Sequence, residues 1–175
     1  MHIEYFPESG ISGVKGQVRI SDDAAEYFLG DDSVSRRKRG IVLHGIMQHI
    51  NAIDDVYDAV SQAVMSGDLD AASADATREE LLEALRTVED RGWFGNDTAR
   101  VLSERDILSA GGKERRPDRV IIENGKVSII DYKFGDSHKS YIKQVNEYKK
   151  LFKMLSYEDV KAYLWYVLEH RVEEY

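Results

Sequence analysis

The chain has 175 residues, 42% of them hydrophobic, enough for one domain with a substantial buried core. Its net charge of −8 argues against a protein that coats nucleic acid non-specifically, because phosphate binding needs clustered Lys and Arg, although a nucleic acid as substrate stays open. With no cysteine, disulfides, zinc–thiolate sites and iron–sulfur clusters are excluded. No apolar run approaches the ~18 residues of a membrane span, and the start MHIEYFPESG lacks the layout of a signal peptide, so a soluble, cytoplasmic protein without membrane contact is expected.

Residues 1–20 mix short apolar runs with Gly and Pro and read as a loop or irregular hairpin. Residues 21–29 suit a short helix capped by Ser21 or Asp22, and the polar stretch GDDSVSRRKR, 30–39, reads as a loop. From Gly40 the pattern is helical, with Ile41, Leu43, Met47 and Ile50 on the apolar side. A second helix over 54–65 carries Val56, Val60 and Val64 in steps of four, and residues 66–75 read as a surface connection. Thr77 and Glu80 have capping-box spacing and should open a third helix bearing Leu81, Leu82, Leu85 and Val88.

Beyond RGWFGND, 91–97, the period changes. Residues 99–108 read as a strand and 109–117 as a connection. DRVIIENGKVSIIDYKF, 118–134, is a hairpin turning on Asn124-Gly125. A helix over 138–155 follows, then an apolar strand over 160–169, with HRVEEY returning beside it. Three helices, three strands, a helix and a strand predict an α/β fold, a mixed central sheet flanked by helices.

The hairpin carries charges where strands favour Val and Ile. Asp131 and Lys133, two apart, project to one face with Tyr132 on the other, and pairing across the turn brings Asp118 to the same open end. Two carboxylates offer hard oxygen ligands to Mg²⁺, and a neighbouring Lys can steady charge developing on phosphorus. The competing expectation is a salt-bridge cluster at a sheet edge, since bare Asp118 and Asp131 would repel each other and need a proton or Lys133.

Pro117-Asp118, twelve residues, then Asp131-Tyr132-Lys133 resembles the signature of PD-(D/E)xK nucleases. Gly40 to His44 is similar to the GxxxH motif of their RecB-like branch, and Gln144 to Tyr148 to its QxxxY motif, in the same order along the chain. This resemblance implies a restriction-endonuclease-like core and a Mg²⁺- or Mn²⁺-dependent deoxyribonuclease, exonuclease rather than endonuclease, acting in DNA end processing, recombination or repair. It implies metal ligation by His44, Asp118, Asp131 and the main-chain carbonyl of Tyr132, with Asp118, Asp131 and Lys133 catalytic. Gln144 and Tyr148 would orient the DNA backbone or the lysine, and Glu104 would be a further acidic residue or an ordinary strand glutamate. Arg115 stands where relatives have Gly, and the missing cysteines set the chain apart from relatives with an iron–sulfur cluster, nearer the AddA or RecB type.

Arg36, Arg37 and Arg39 belong to the one basic run, RRKR, expected just before the His44 helix, where a helix N-terminus would favour phosphate, or else simply solvated. Lys139, Lys143, Lys149, Lys150 and Lys153 make the following helix basic, while Tyr141, Val145, Tyr148 and Phe152 read as its core side. His44 could equally be a hydrogen-bonded core histidine, and His2, His49, His138 and His170 read as structural or solvated. No P-loop motif occurs, so no ATP site of that kind is expected. The whole chain, 1–175, reads as one nuclease domain with a helical part, 1–95, and a catalytic sheet and helix, 96–175; by the resemblance it would be the C-terminal domain of a larger helicase-nuclease, with a helicase motor and DNA as partners. The alternatives are a non-catalytic nuclease-fold module that binds DNA or a protein, and a stand-alone phage-type exonuclease.

Overall fold

The computed structural model describes residues 31–103, 107–108 and 114–175. The readings for residues 1–30 and for Glu104 lie outside these. Helices α1 (Asp31–Met47), α2 (Val56–Ser66) and α3 (Ala74–Arg86) precede strand β1 (Arg100–Ser103). Then come β2 (Ile107–Leu108), β3 (Glu114–Arg115), β4 (Arg119–Glu123), β5 (Lys126–Lys133), α4 (Lys139–Met154), β6 (Asp159–Tyr166) and β7 (Arg171–Glu174). The result is a mixed α/β fold whose main sheet has five strands in the order β1-β4-β5-β6-β7.

The sheet separates two apolar layers. On one face Ile121, Ile130, Tyr132, Tyr163 and Trp165 pack against Leu43, Ile46, Val60, Leu81 and Leu85 of α1–α3. On the other, Val120, Val127, Ile129 and Leu164 meet Val145, Tyr148 and Phe152 of α4. The period-two alternation of the strands assigns each residue to its layer.

The hairpin turns as its sequence demands. Asn124 and Gly125 both have positive φ, 50° and 78°, and close a two-residue loop with Glu123 opposite Lys126. β4 pairs with β5 only as far as Arg119 opposite Ile130, so residues 131–133 run past it while still pairing in parallel with Leu164, Trp165 and Tyr166 of β6. Parallel neighbours need a crossover, which α4 supplies, so its first turn follows closely on the overhanging end of β5. β7 returns antiparallel beside β6, as expected.

Four expectations need correction. Residues 31–39 are helical, and Arg and Lys are good helix formers. RRKR therefore lies inside α1 and not at its N-terminus. Ile41 is 46% exposed, and Ile46 takes the core position instead. Thr77 caps nothing, since α3 begins at Ala74 and Thr77 is buried within it; Asp70 accepts from Ala72 N–H in the preceding single turn. The strand expected over 99–108 is two: β1 joins the main sheet, and β2 pairs with β3 in a separate two-stranded ribbon. Among the described residues no helix is long and apolar enough to cross a membrane.

Candidate functional site

Where β4 stops, the side of β5 facing it loses its ladder partner, and the backbone must find another acceptor. Tyr132 N–H donates to Asp118 Oδ2 at 2.6 Å, so a carboxylate replaces the missing carbonyl. N–H and C=O of one strand residue point the same way, so the Tyr132 carbonyl is directed to the Asp118 side as well. The other Asp118 oxygen, Oδ1, is 3.0 Å from His44 Nε2, reaching across from α1. Gly40 lies close to the site: a Cβ there would stand 3.4 Å from Phe134 Cβ, just beyond the end of β5, with room for little more. One helical turn after His44, Gln48 Nε2 lies 3.3 Å from His44 Nδ1 and holds the ring from behind.

Asp131 and Lys133 share the α4 face of β5 and form an ion pair with each other. Asp131 is buried. Burial first, and the nearby Asp118 carboxylate second, push its carboxyl up to about 7, against the opposing pull of Lys133 and His44. Burial pulls the Lys133 ammonium down, but Asp131, with Asp118 behind it, prevails and holds it above the ordinary lysine value. The Lys133 ammonium sits 4.1 Å from the ring centroid of Tyr141, in the first turn of α4. Two carboxylates facing one lysine leave negative charge in excess, which adds to burial in raising Asp131.

From the same helix Gln144 Nε2 donates to Tyr148 Oη at 2.8 Å, and Tyr148 O–H donates to the carbonyl of Arg116 at 3.3 Å. Tyr148 is buried and secures the segment leading into Pro117-Asp118. The structure thus brings His44, Asp118, Asp131 and Lys133 to one end of the hairpin, with Gln144 and Tyr148 behind it. It does not bring in the basic run: Arg36, Arg37 and Arg39 are exposed along α1, and Arg39 is bound to Glu80 of α3 at 2.7 Å. His49 and His170 are exposed, and His138 caps α4 by accepting from Ser140 N–H.

Sequence reading passed over three contributors. Gln48 stands at i+4 from His44, a spacing that shares a helix face. Tyr141, three residues before Gln144, had been assigned to the core but is half-buried against Lys133. Arg119 has the strand parity of the core residue Ile121, and a charge at core parity was its signal.

Two carboxylates and a main-chain carbonyl are the oxygen donors that Mg²⁺ or Mn²⁺ takes, and the imidazole adds a softer nitrogen donor beside them. The 3.0 Å between His44 Nε2 and Asp118 Oδ1 fits neighbouring ligands of an octahedral ion, which stand about 3 Å apart when bonds are about 2.1 Å. Among the described residues, buried Asp131 Oδ2 receives no aligned hydrogen bond, only the ion-pair contact of Lys133. Against this, among the described residues no group of three or more His, Asp or Glu side chains stands ready to hold a metal ion. The residues fit chemically, and loading would have to bring the side chains closer together than they stand. Compared with protein-family models and with curated proteins, the chain matches none.

Proposed function

We propose that the chain is a metal-dependent deoxyribonuclease domain with a restriction-endonuclease-like core, hydrolysing DNA phosphodiesters in the manner of RecB-like nucleases. The observation that carries the reading is the convergence of His44 from α1, Asp118 from the start of β4, and Asp131 with Lys133 from β5. Residues from α1 and from both hairpin arms, far apart in sequence, meet at one strand end.

His44, Asp118, Asp131 and the Tyr132 carbonyl would hold Mg²⁺ or Mn²⁺. When bound, such an ion supplies Lewis acidity toward phosphate and water. The chain's own residues supply the rest. Lys133, held protonated, places positive charge beside the reacting phosphate and steadies the charge that builds there. Tyr141 keeps its ammonium from swinging into solvent. Gln144 and Tyr148 act on Asp118 through Arg116, as positioning residues. The exposed Arg36 and Arg37 offer positive charge to the DNA backbone along α1, outside the site itself. A helicase motor, in the same or an associated chain, would deliver the strand.

A second reading has its own observation. His44 pairs with Asp118 and Lys133 with Asp131, contacts that a structural cluster in a non-catalytic module would also make. Calorimetric titration of Mg²⁺ and Mn²⁺ into wild type and Asp131→Ala, with cleavage of labelled single-stranded DNA alongside, separates the two. The nuclease reading expects binding and cleavage in wild type and neither in the variant. Well-folded wild type that neither binds metal nor cleaves DNA leaves the salt-bridge cluster.

A further inference from the structure

Arg119 is a buried cation that the proposed chemistry does not use. It is 1% exposed, next in sequence to Asp118, and turned to the opposite face of the sheet. Its partners among the described residues are neutral. Nε donates to the Trp93 carbonyl at 2.9 Å, Nη1 to the Ile50 carbonyl at 3.0 Å and Nη2 to the Asn51 carbonyl at 3.4 Å. The guanidinium carbon lies 4.3 Å from the ring centroid of Phe94. Burying a charge without a counter-ion is costly, and a residue of the same shape without charge would fill this space at lower cost. What the guanidinium adds is a planar fork that spans separate chain segments, which no apolar side chain can do and which an ammonium, with three rotatable donors, does without fixed geometry.

The segments it spans matter. Ile50 closes the turn that follows α1 and Asn51 comes next, six and seven residues after His44. That turn is itself tied down: Asp55 accepts from the N–H groups of Asn51 and Ala52 at 2.8 Å each, and Gly95 N–H donates to the Asn51 carbonyl at 2.8 Å. Trp93 and Phe94 belong to the loop leading toward the sheet. Arg119 therefore bolts the C-terminal end of α1 to the first residue of β4. His44 and Asp118 sit on the two parts so joined, 3.0 Å from each other.

We infer that Arg119 is a positioning residue that sets the His44–Asp118 separation, and through it the affinity of the site for a divalent ion. The inference rests on the nuclease reading for its metal arm, but the placement itself can be read without metal. Groups bonded directly to a metal ligand typically command 10–100-fold in metal affinity; Arg119 acts one step further out, so a loss at the low end, about tenfold, is expected for Arg119→Lys. Lysine keeps the charge and loses the fork.

The experiment is a double-mutant cycle on the full chain: Mn²⁺ affinity by calorimetry in wild type, Arg119→Lys, His44→Ala and the double variant. The metal-free proteins are compared by the His44 ring and Tyr132 amide resonances. Positioning expects about tenfold weaker Mn²⁺ binding in Arg119→Lys, no further loss when His44 is already gone, and displaced His44 and Tyr132 resonances before any metal is added. An equal loss in both backgrounds, or unmoved resonances in folded Arg119→Lys, overturns it. If Arg119→Lys fails to fold, Phe94→Leu loosens the guanidinium without touching its hydrogen bonds and should move the same resonances less far; their staying in place overturns the proposal. Wild type that binds no Mn²⁺ defeats the nuclease reading, and the metal-free resonances then decide the role of Arg119 alone.

Discussion

Asp118 does two jobs with two oxygens: Oδ2 accepts the Tyr132 N–H at 2.6 Å, and Oδ1 meets His44 Nε2 at 3.0 Å. One carboxylate thus completes the β5 backbone where β4 has ended and ties α1 to the hairpin. Under the proposed function a structural and a chemical role would be joined in this one residue, and substitutions should separate them.

Asp118→Ala removes both, leaving a buried N–H without an acceptor, at a cost of about 1–3 kcal/mol. Asp118→Asn retains a carbonyl oxygen for Tyr132 N–H and should lose much less stability. Both lose the charge that a metal needs, so both should lose Mg²⁺-dependent cleavage. Urea denaturation and a cleavage assay on the pair check this. Asp118→Asn cleaving at the wild-type rate would sink the assigned role.

Asp131 carries a pH dependence with a definite sign. Its carboxyl, ordinarily near 3.8, is pushed up to about 7 in the folded protein by burial and by Asp118. Between those values the native state holds a proton that the unfolded chain has released, so metal-free stability falls as pH rises from about 4 to about 7. A divalent ion requires the ionised form, so stabilisation by Mg²⁺ should grow over the same window. Melting curves in chelator and in Mg²⁺ test both statements, and Asp131→Asn should flatten the metal-free slope. A slope that survives in that variant belongs to another group.

The hairpin, its Asn-Gly turn and the approach of Asp118 to Asp131 and Lys133 were legible because strand parity and a two-residue turn fix register locally. The crossover by α4 and the return of β7 followed from apolar patterning. The reach of α1 back through Arg36–Arg39 was not legible: a run of charge without apolar period looks like a loop, and Arg39 is held by Glu80, 41 residues away. The unused capping box at Thr77 shows the same limit, because tertiary burial of that threonine outweighed its local preference. Arg119 and Tyr141 became meaningful only with their distant partners, Ile50 and Trp93 for one and Lys133 for the other.

Gly40 tests how closely α1 must lie. Alanine places its Cβ 3.4 Å from Phe134 Cβ, an ordinary contact, and gains helix propensity of about 0.8–1 kcal/mol. Gly40→Ala should therefore be as stable as wild type or more so, and active. Gly40→Leu adds atoms where Phe134 stands, forces α1 outward and carries His44 away from Asp118. Folded protein with cleavage reduced about 10–100-fold is the expectation, read by melting curves and initial rates. Full activity in Gly40→Leu would mean that the glycine spacing does not serve His44.

Tyr148→Phe removes only an oxygen, yet that oxygen accepts from Gln144 and donates to the Arg116 carbonyl. The loss should cost about 1 kcal/mol of stability and lower kcat more than it raises KM, because the affected part is the approach to Asp118 and not a DNA contact. A raised KM with unchanged kcat would make Tyr148 a substrate contact instead.

The basic run divides by environment. Arg37 precedes His44 by seven residues, two turns or about 10 Å along the same helix face, and is exposed. Arg39 is exposed too but already bound to Glu80. If DNA follows α1 toward His44, Arg37→Ala should weaken single-stranded DNA binding and reduce the slope of log affinity against log salt by about 0.7, the value for one phosphate contact. Arg39→Ala should change that slope less and instead cost about 0–1 kcal/mol through the lost bridge to α3. Anisotropy titrations over a salt series, in the Asp118→Asn background to prevent cleavage, measure both. Equal slopes in wild type and Arg37→Ala would route the DNA elsewhere, with the basic side of α4 the next surface to vary.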